Sequence, residues 1–182
     1  MCDKLRGVGL EVVATAEPGG HPLADRIREM LLDSADGICD RTELLLFEAA
    51  RAQHVEKKIR PALESGAVVV CDRFADSSTA YQGYARGMGP DVVRSLNSYA
   101  TGGLQPDLTL LLDLPVQAGL ARQDRRDRIS QEAEVFHEAV KQGYLATASI
   151  EPERVVVIDA ARDRACVLEE AWSILSRRLR EV

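Results

Sequence analysis

Four short apolar runs punctuate the chain, at residues 10–15, 67–72, 108–113 and 154–159. Each is nearly continuous in hydrophobicity instead of alternating, which predicts parallel strands buried on both faces. Helical spacing fills the intervals, over residues 22–32, 41–64, 90–101, 131–148 and 164–180, with Gly66 as a stop signal after the second. Strand and helix alternate throughout, so the expected class is α/β with right-handed crossovers. No internal repeat, low-complexity tract or linker interrupts the pattern, and a single domain over residues 1–182 is expected. Three of the four runs end in a carboxylate: Asp72, Asp113 and Asp159. Ligands of open parallel sheets bind beyond the carboxyl ends of the strands, although such acids also serve as helix caps, and Asp159 fits either use.

Composition narrows the classes. A chain of 182 residues, 46% apolar and 29% charged, suits a globular fold with a full core. No apolar run approaches the roughly 18 residues of a membrane span, and residues 1–6 lack the apolar core of a secretory signal. Cys2, Cys39, Cys71 and Cys166 are scattered without a C-x-x-C pair, so a reduced cytoplasmic chain without a zinc site or disulfide framework is expected. The net charge of −6 argues against nucleic-acid binding. A nucleotide pocket needs only a few placed arginines and stays open.

Four segments carry candidate chemistry. At the end of the second run, Asp72-Arg73 joins an acid suited to a metal-bound phosphate with a planar fork suited to phosphate oxygens. Ser77, Ser78, Tyr81 and Gln82 follow at spacings that share a helix face; a surface ion pair and a polar helix start fit the same residues. Phe47 and Arg51 are one helical turn apart, so a ring can stack on a base while a guanidinium bonds its edge. A core aromatic, with a solvated arginine paired to Glu48 or Glu43, is the plainer account. Glu17-Pro18-Gly19-Gly20 is a permissive turn directly after a strand. Arg122, Arg125, Arg126 and Arg128 crowd one short segment, suited either to closing over phosphates or to a solvated loop.

Taken together these segments resemble the bacterial thymidylate kinase family over essentially the whole chain. The resemblance is carried by Glu17-Pro18-Gly19-Gly20, Arg41-Thr42-Glu43-Leu44-Leu45-Leu46-Phe47 with Arg51, and Asp72-Arg73-Phe74 leading to Ala80-Tyr81-Gln82-Gly83. Gly102-Gly103-Leu104-Gln105-Pro106-Asp107, Asp127-Arg128-Ile129, and Phe136-His137 with Gly143-Tyr144 extend it. It implies a three-layer parallel sheet of the P-loop nucleoside monophosphate kinase type, a homodimer, and phosphoryl transfer from ATP to dTMP with Mg²⁺. It further implies that Phe47 stacks on thymine, Arg51 bonds a base carbonyl, Ser78 and Gln82 contact the base edge, and Ser77 belongs to the substrate-binding set. By the same resemblance Tyr81 packs near the sugar, and Glu17 and Arg28 line the monophosphate pocket. Arg73 holds the phosphate, Asp72 helps place magnesium, and Arg122, Arg125, Arg126 and Arg128 form a lid. A kinase for another nucleoside monophosphate is disfavoured by Phe47, Arg51, Ser78 and Tyr81.

The chain also departs from the family pattern. Ala16 stands where an arginine is common, Ser130 replaces a common glutamate, and the arginine-rich segment is shorter than usual. No Gly-Lys pair occurs, so the G-x-x-x-x-G-K-[ST] loop that cradles ATP phosphates is not in this sequence. The expectation is a thymidylate kinase-like domain truncated at its amino terminus, whose first, central strand is missing between those ending at Asp72 and Asp113. Such a chain is a fragment, the product of a misplaced start, or a remnant completed by another chain. The rival expectation is a non-catalytic nucleotide-binding or dimerising protein.

Overall fold

A computed structural model of the protein describes residues 1–32, 37–122 and 127–181. The elements, in order, are α1 (Cys2–Gly7), β1 (Val12–Ala16), α2 (Pro22–Leu32), α3 (Asp40–His54), α4 (Arg60–Glu64), β2 (Val68–Asp72), α5 (Ala75–Ser78), α6 (Pro90–Thr101), β3 (Thr109–Asp113), α7 (Val116–Ala121), α8 (Glu134–Ile150), β4 (Val155–Asp159) and α9 (Arg164–Glu181). A π-helical stretch, Val55–Ile59, joins α3 to α4, so the helix expected over 41–64 is one continuous rod. A second, Thr79–Ala85, continues α5.

Helix α6 shows why the sequence breaks where it does. Pro90 opens its first turn, where the missing N–H has no intrahelical role, and Gly102 ends it in the left-handed region at φ 58°. Its buried face carries Val93, Asn97 and Ala100, three and four residues apart. Helix α8 begins at Glu134, later than the expected residue 131, because residues 128–132 form turns closed by the Asp127–Ser130 hydrogen bonds. Helix α7 has no counterpart in the periodicity reading.

The four strands lie at the expected places, and the described residues do not join them into one continuous sheet. They pair two and two. β1 and β2 run parallel from Val12 opposite Val68 to Ala16 opposite Asp72. β3 and β4 run parallel from Thr109 opposite Val155 to Asp113 opposite Asp159. Among the described residues no ladder joins β2 to β3. Burial on both faces is likewise not realised: β1, β2 and β3 contain no buried residue, whereas β4 buries Val155 and Ile158. Leu112 and Val157 remain 51% and 43% exposed. The physical reason is that a two-stranded ribbon presents an edge on each side and lacks the neighbours that would cover its faces.

The compact part of the molecule is therefore helical. Ala80, Ile129, Phe136 and Val140 form a buried cluster against Leu32, Phe47, Tyr81, Ala85 and Tyr144. Gly143 makes this packing possible, since a Cβ there would stand 2.9 Å from the Ala80 Cα and 3.0 Å from the Tyr84 Cβ. The four cysteines are free, and no described helix is long and apolar enough to cross a membrane.

Candidate functional site

The carboxyl ends of β1 and β2 open into a cleft of about 190 Å³. Glu17, Arg28, Phe47, Arg51, Asp72, Arg73, Ser77, Ser78, Tyr81 and Gln82 all line it. These residues come from five separate places: the turn after β1, α2, α3, the end of β2, and α5 with its π-helical continuation. Strand register brings the first and fourth together, because Ala16 pairs with Asp72 and the Glu17 N–H donates to the Asp72 carbonyl at 3.0 Å.

The floor is a buried polar network. Arg51 is only 2% exposed. Its Nε donates to Glu17 Oε2 at 2.8 Å, and its Nη1 donates to Glu48 at 2.9 Å, Ser78 at 3.0 Å and Asn97 at 2.6 Å. The plainer account of Arg51 was thus right about Glu48 as a partner and wrong about solvent. Burial disfavours its charge, but the Glu17 and Glu48 carboxylates outweigh that and hold it protonated. Phe47 is partly buried and packs on the helical core while one side faces the cleft. Gln82 donates to Glu43 at 2.8 Å, and this fixes its amide at the cleft wall.

The rim is built differently. Arg73 sits in the left-handed region at φ 64°, a conformation costing a non-glycine residue about 1–2 kcal/mol. Its Nη1 reaches the hydroxyls of Tyr81 and Tyr144 at 3.3 and 3.4 Å, and its guanidinium lies 5.4 Å from the Tyr81 ring centroid. Among the described residues no carboxylate forms an ion pair with it, so its charge stays available to an anion. Burial pushes the Tyr144 hydroxyl up to about 12, and it donates to Ser77 at 2.7 Å. Burial, with help from Glu17 and Asp72, also pushes the Cys71 thiol up to about 12, which excludes it as a thiolate nucleophile near neutral pH. Arg28 donates to the Pro18 carbonyl at 2.8 Å and reaches the rim from α2.

Of the arginine-rich segment, Asp127 lines the cleft, whereas the described arginines Arg122 and Arg128 do not. Arg122 donates to the Ala160 carbonyl at 3.1 Å. Arg128 donates to the Leu31 carbonyl at 3.2 Å and closely to Glu43, so it acts as a strut between α2 and α3. Arg125 and Arg126 lie outside the described residues. Sequence reading gave no role to His54, Tyr144, Asn97 or His137. His137 lines the cleft and has a buried, unpartnered Nε2. The hydrogen bonds of Asn97 and His54 to Arg51 and Glu17 cross many residues of sequence, so spacing carried no signal for them.

No group of three His, Cys, Asp or Glu among the described residues is arranged to hold a metal ion. Asp72 is nevertheless an exposed carboxylate at the cleft mouth, and magnesium commonly takes one or two protein carboxylates plus phosphate and water. That donor set fits a nucleotide-borne ion.

Comparison with known proteins shows the family. Residues 1–171 match the family model described as thymidylate kinase. Thymidylate kinase of Desulfovibrio desulfuricans is 49% identical, over 99% of this chain and 88% of its own length. Those of a Synechococcus strain and Pseudomonas fluorescens are 50% and 48% identical, each over 98% of this chain and over 86% and 87% of their own lengths. A family match over residues 1–171 and relatives about half identical over nearly the whole chain make this protein a member of the thymidylate kinase family.

Proposed function

We propose that the cleft binds dTMP and that the protein serves phosphoryl transfer from ATP to dTMP, giving dTDP. The observation that carries this reading is convergence: Phe47, Arg51, Arg73, Tyr81 and Gln82 come from distant segments and share one cavity. Phe47 stacks on the thymine ring. Arg51, Ser78 and Gln82 serve its polar edge, held in place by the floor network, and Ser77 lines the same cleft. Tyr81 flanks the sugar. Arg73 takes the monophosphate, with Glu17 and Arg28 lining that pocket. Asp72 would help hold a Mg²⁺ ion, which supplies charge neutralisation on the phosphates. The chain's own contribution is orientation and electrostatic complementarity.

The reading extends to the sheet and the assembly. β2 and β3 flank a fifth strand, belonging to the family's phosphate-binding strand–loop–helix. The division of the described strands into two pairs, with no ladder between β2 and β3, supports this. A second copy covers the apolar face of the packed helices α3 and α6, where Leu45, Val92 and Tyr99 are 58%, 57% and 90% exposed.

Calorimetry with dTMP tests the pocket. Binding is expected, and Arg73→Ala should weaken it by about 2–5 kcal/mol through loss of the phosphate fork. Unchanged affinity in that variant removes Arg73 from the site. The 182-residue chain alone should release no ADP in a coupled assay, because the ATP-phosphate loop is not in its sequence. Fusing a family member's amino-terminal strand–loop–helix to it should raise the melting temperature and restore turnover. Robust turnover of the unfused chain would overturn this part.

A further inference from the structure

Beneath the cleft floor lies a histidine with no part in the binding scheme. His54 is fully buried and ends α3 three residues after Arg51, so both side chains leave the same helix face. Its Nδ1 lies 3.0 Å from Glu17 Oε1, and its Nε2 lies 2.7 Å from the Thr15 hydroxyl. A carboxylate can only accept, so Nδ1 carries a proton and donates to Glu17. A ring protonated at Nδ1 can accept at Nε2 from Thr15. Arg51 meanwhile donates to the other Glu17 oxygen, Oε2, at 2.8 Å.

The turn closes tightly over this arrangement. Gly20 sits at φ 82°, and a Cβ there would come within 2.6 Å of Thr15 Oγ1 and closer still to the His54 ring. The chain thus leaves out a side chain at the one place where it would part His54 from Thr15. Glu17 itself is 5% exposed and lines the cleft, whereas His54 does not reach it.

We propose that His54 is a positioning residue of the cleft: it acts through Glu17 to aim Arg51. With a single donor, the Glu17 carboxylate could pivot about its contact with Arg51. Two donors on two different oxygens fix its plane. That plane sets the direction from which Arg51 Nε is held and, with the Nη1 bonds to Glu48, Ser78 and Asn97, the face its guanidinium presents to a ligand. The ligand readout rests on the dTMP reading given above, but the contact itself does not.

A pair of amides separates positioning from space filling. Asparagine can place a donor near the Nδ1 position, and glutamine near Nε2. If Glu17 is the partner that matters, His54→Asn should keep dTMP affinity near that of the unsubstituted chain. His54→Gln and His54→Ala should lose about tenfold or more, and in a Glu17→Ala background the same substitutions should change affinity less than about twofold. A ranking by side-chain volume, with glutamine at least as good as asparagine, would overturn the proposal, as would full additivity with Glu17→Ala. Should the unsubstituted chain bind no dTMP, the nucleotide reading fails and nitrogen NMR of the His54 ring still tests the contact. A proton on Nδ1 whose resonance moves in Glu17→Ala supports it, and an unprotonated Nδ1 refutes it.

Discussion

Helix α3 buries two glutamates, Glu43 and Glu48, at 1% and 7% exposure, and the protein treats them in opposite ways. Glu43 receives Gln82 at 2.8 Å, Arg86 on both oxygens at 3.3 and 3.2 Å, and Arg128 as well. Burial works against its charge, but Arg86, Gln82 and Arg128 together outweigh burial and hold its carboxyl below the ordinary value. Glu48 has Arg51 on one oxygen, while its Oε2 is buried without a partner. There burial wins, and its carboxyl is pushed up. Depth is nearly the same for both. The number of donors decides which form is favoured. The difference also divides labour. Glu43 is a finished structural joint between α3, the π-helical stretch and Arg128, whereas Glu48 is an unfinished edge of the floor that carries Arg51.

Breaking the finished joint should cost most. Glu43→Gln leaves Arg86 and Arg128 facing a neutral amide in a buried site, and should lower unfolding free energy in urea by about 3–5 kcal/mol near neutral pH. Because the folded value of Glu43 is depressed, its contribution is present above the ordinary 4.5 and fades as pH falls through the folded value. The gap between the two chains should therefore close in acid. Arg128→Met removes one donor and leaves Arg86 in place, so a loss of about 1.5–3 kcal/mol is expected in the same experiment. It should leave dTMP affinity nearly unchanged, because Arg128 does not line the cleft. A strong affinity loss would restore Arg128 to the phosphate-binding set.

The smallest effect belongs to Glu48. Glu48→Gln should change stability by less than about 1 kcal/mol near neutral pH, since it removes a charge that burial already disfavours. Its pH dependence should also run the other way. A raised folded value gives a contribution present below 4.5 and lost as pH rises through the folded value, so the advantage of the unsubstituted chain should shrink on the alkaline side. Parallel pH profiles for the two glutamine variants would contradict the comparison.

Much of the architecture could be read from the chain. Helices α2 and α6 begin and end where proline, spacing and glycine placed them, and all four strands fall within a residue or two of the apolar runs. The cleft residues were legible only through the family motifs. Taken alone, Phe47 and Arg51 fitted a core aromatic and a surface arginine better than a binding pair. His54 and Asn97 were not legible, because each acts on a side chain remote in sequence and carries no local pattern, and Tyr144 stood in a family motif without a role. Arg128 is the reverse case. Its neighbours suggested a charged lid, while its partners, Glu43 and the Leu31 carbonyl, lie far back along the chain.

Sequence alone determined what is local: which stretches are helix or strand, where a proline or glycine ends them, and which residue types stand at strand ends. Those choices depend on backbone sterics and on hydrophobic period, which a few neighbouring residues settle. Tertiary structure decided which charges are neutralised and which are left for a ligand. Arg51 and Arg73 read alike as arginines beside acids, yet folding gave one two buried carboxylate partners and left the other without an ion pair. That assignment depends on desolvation and on donors brought from distant segments, and neither exists until the chain has folded.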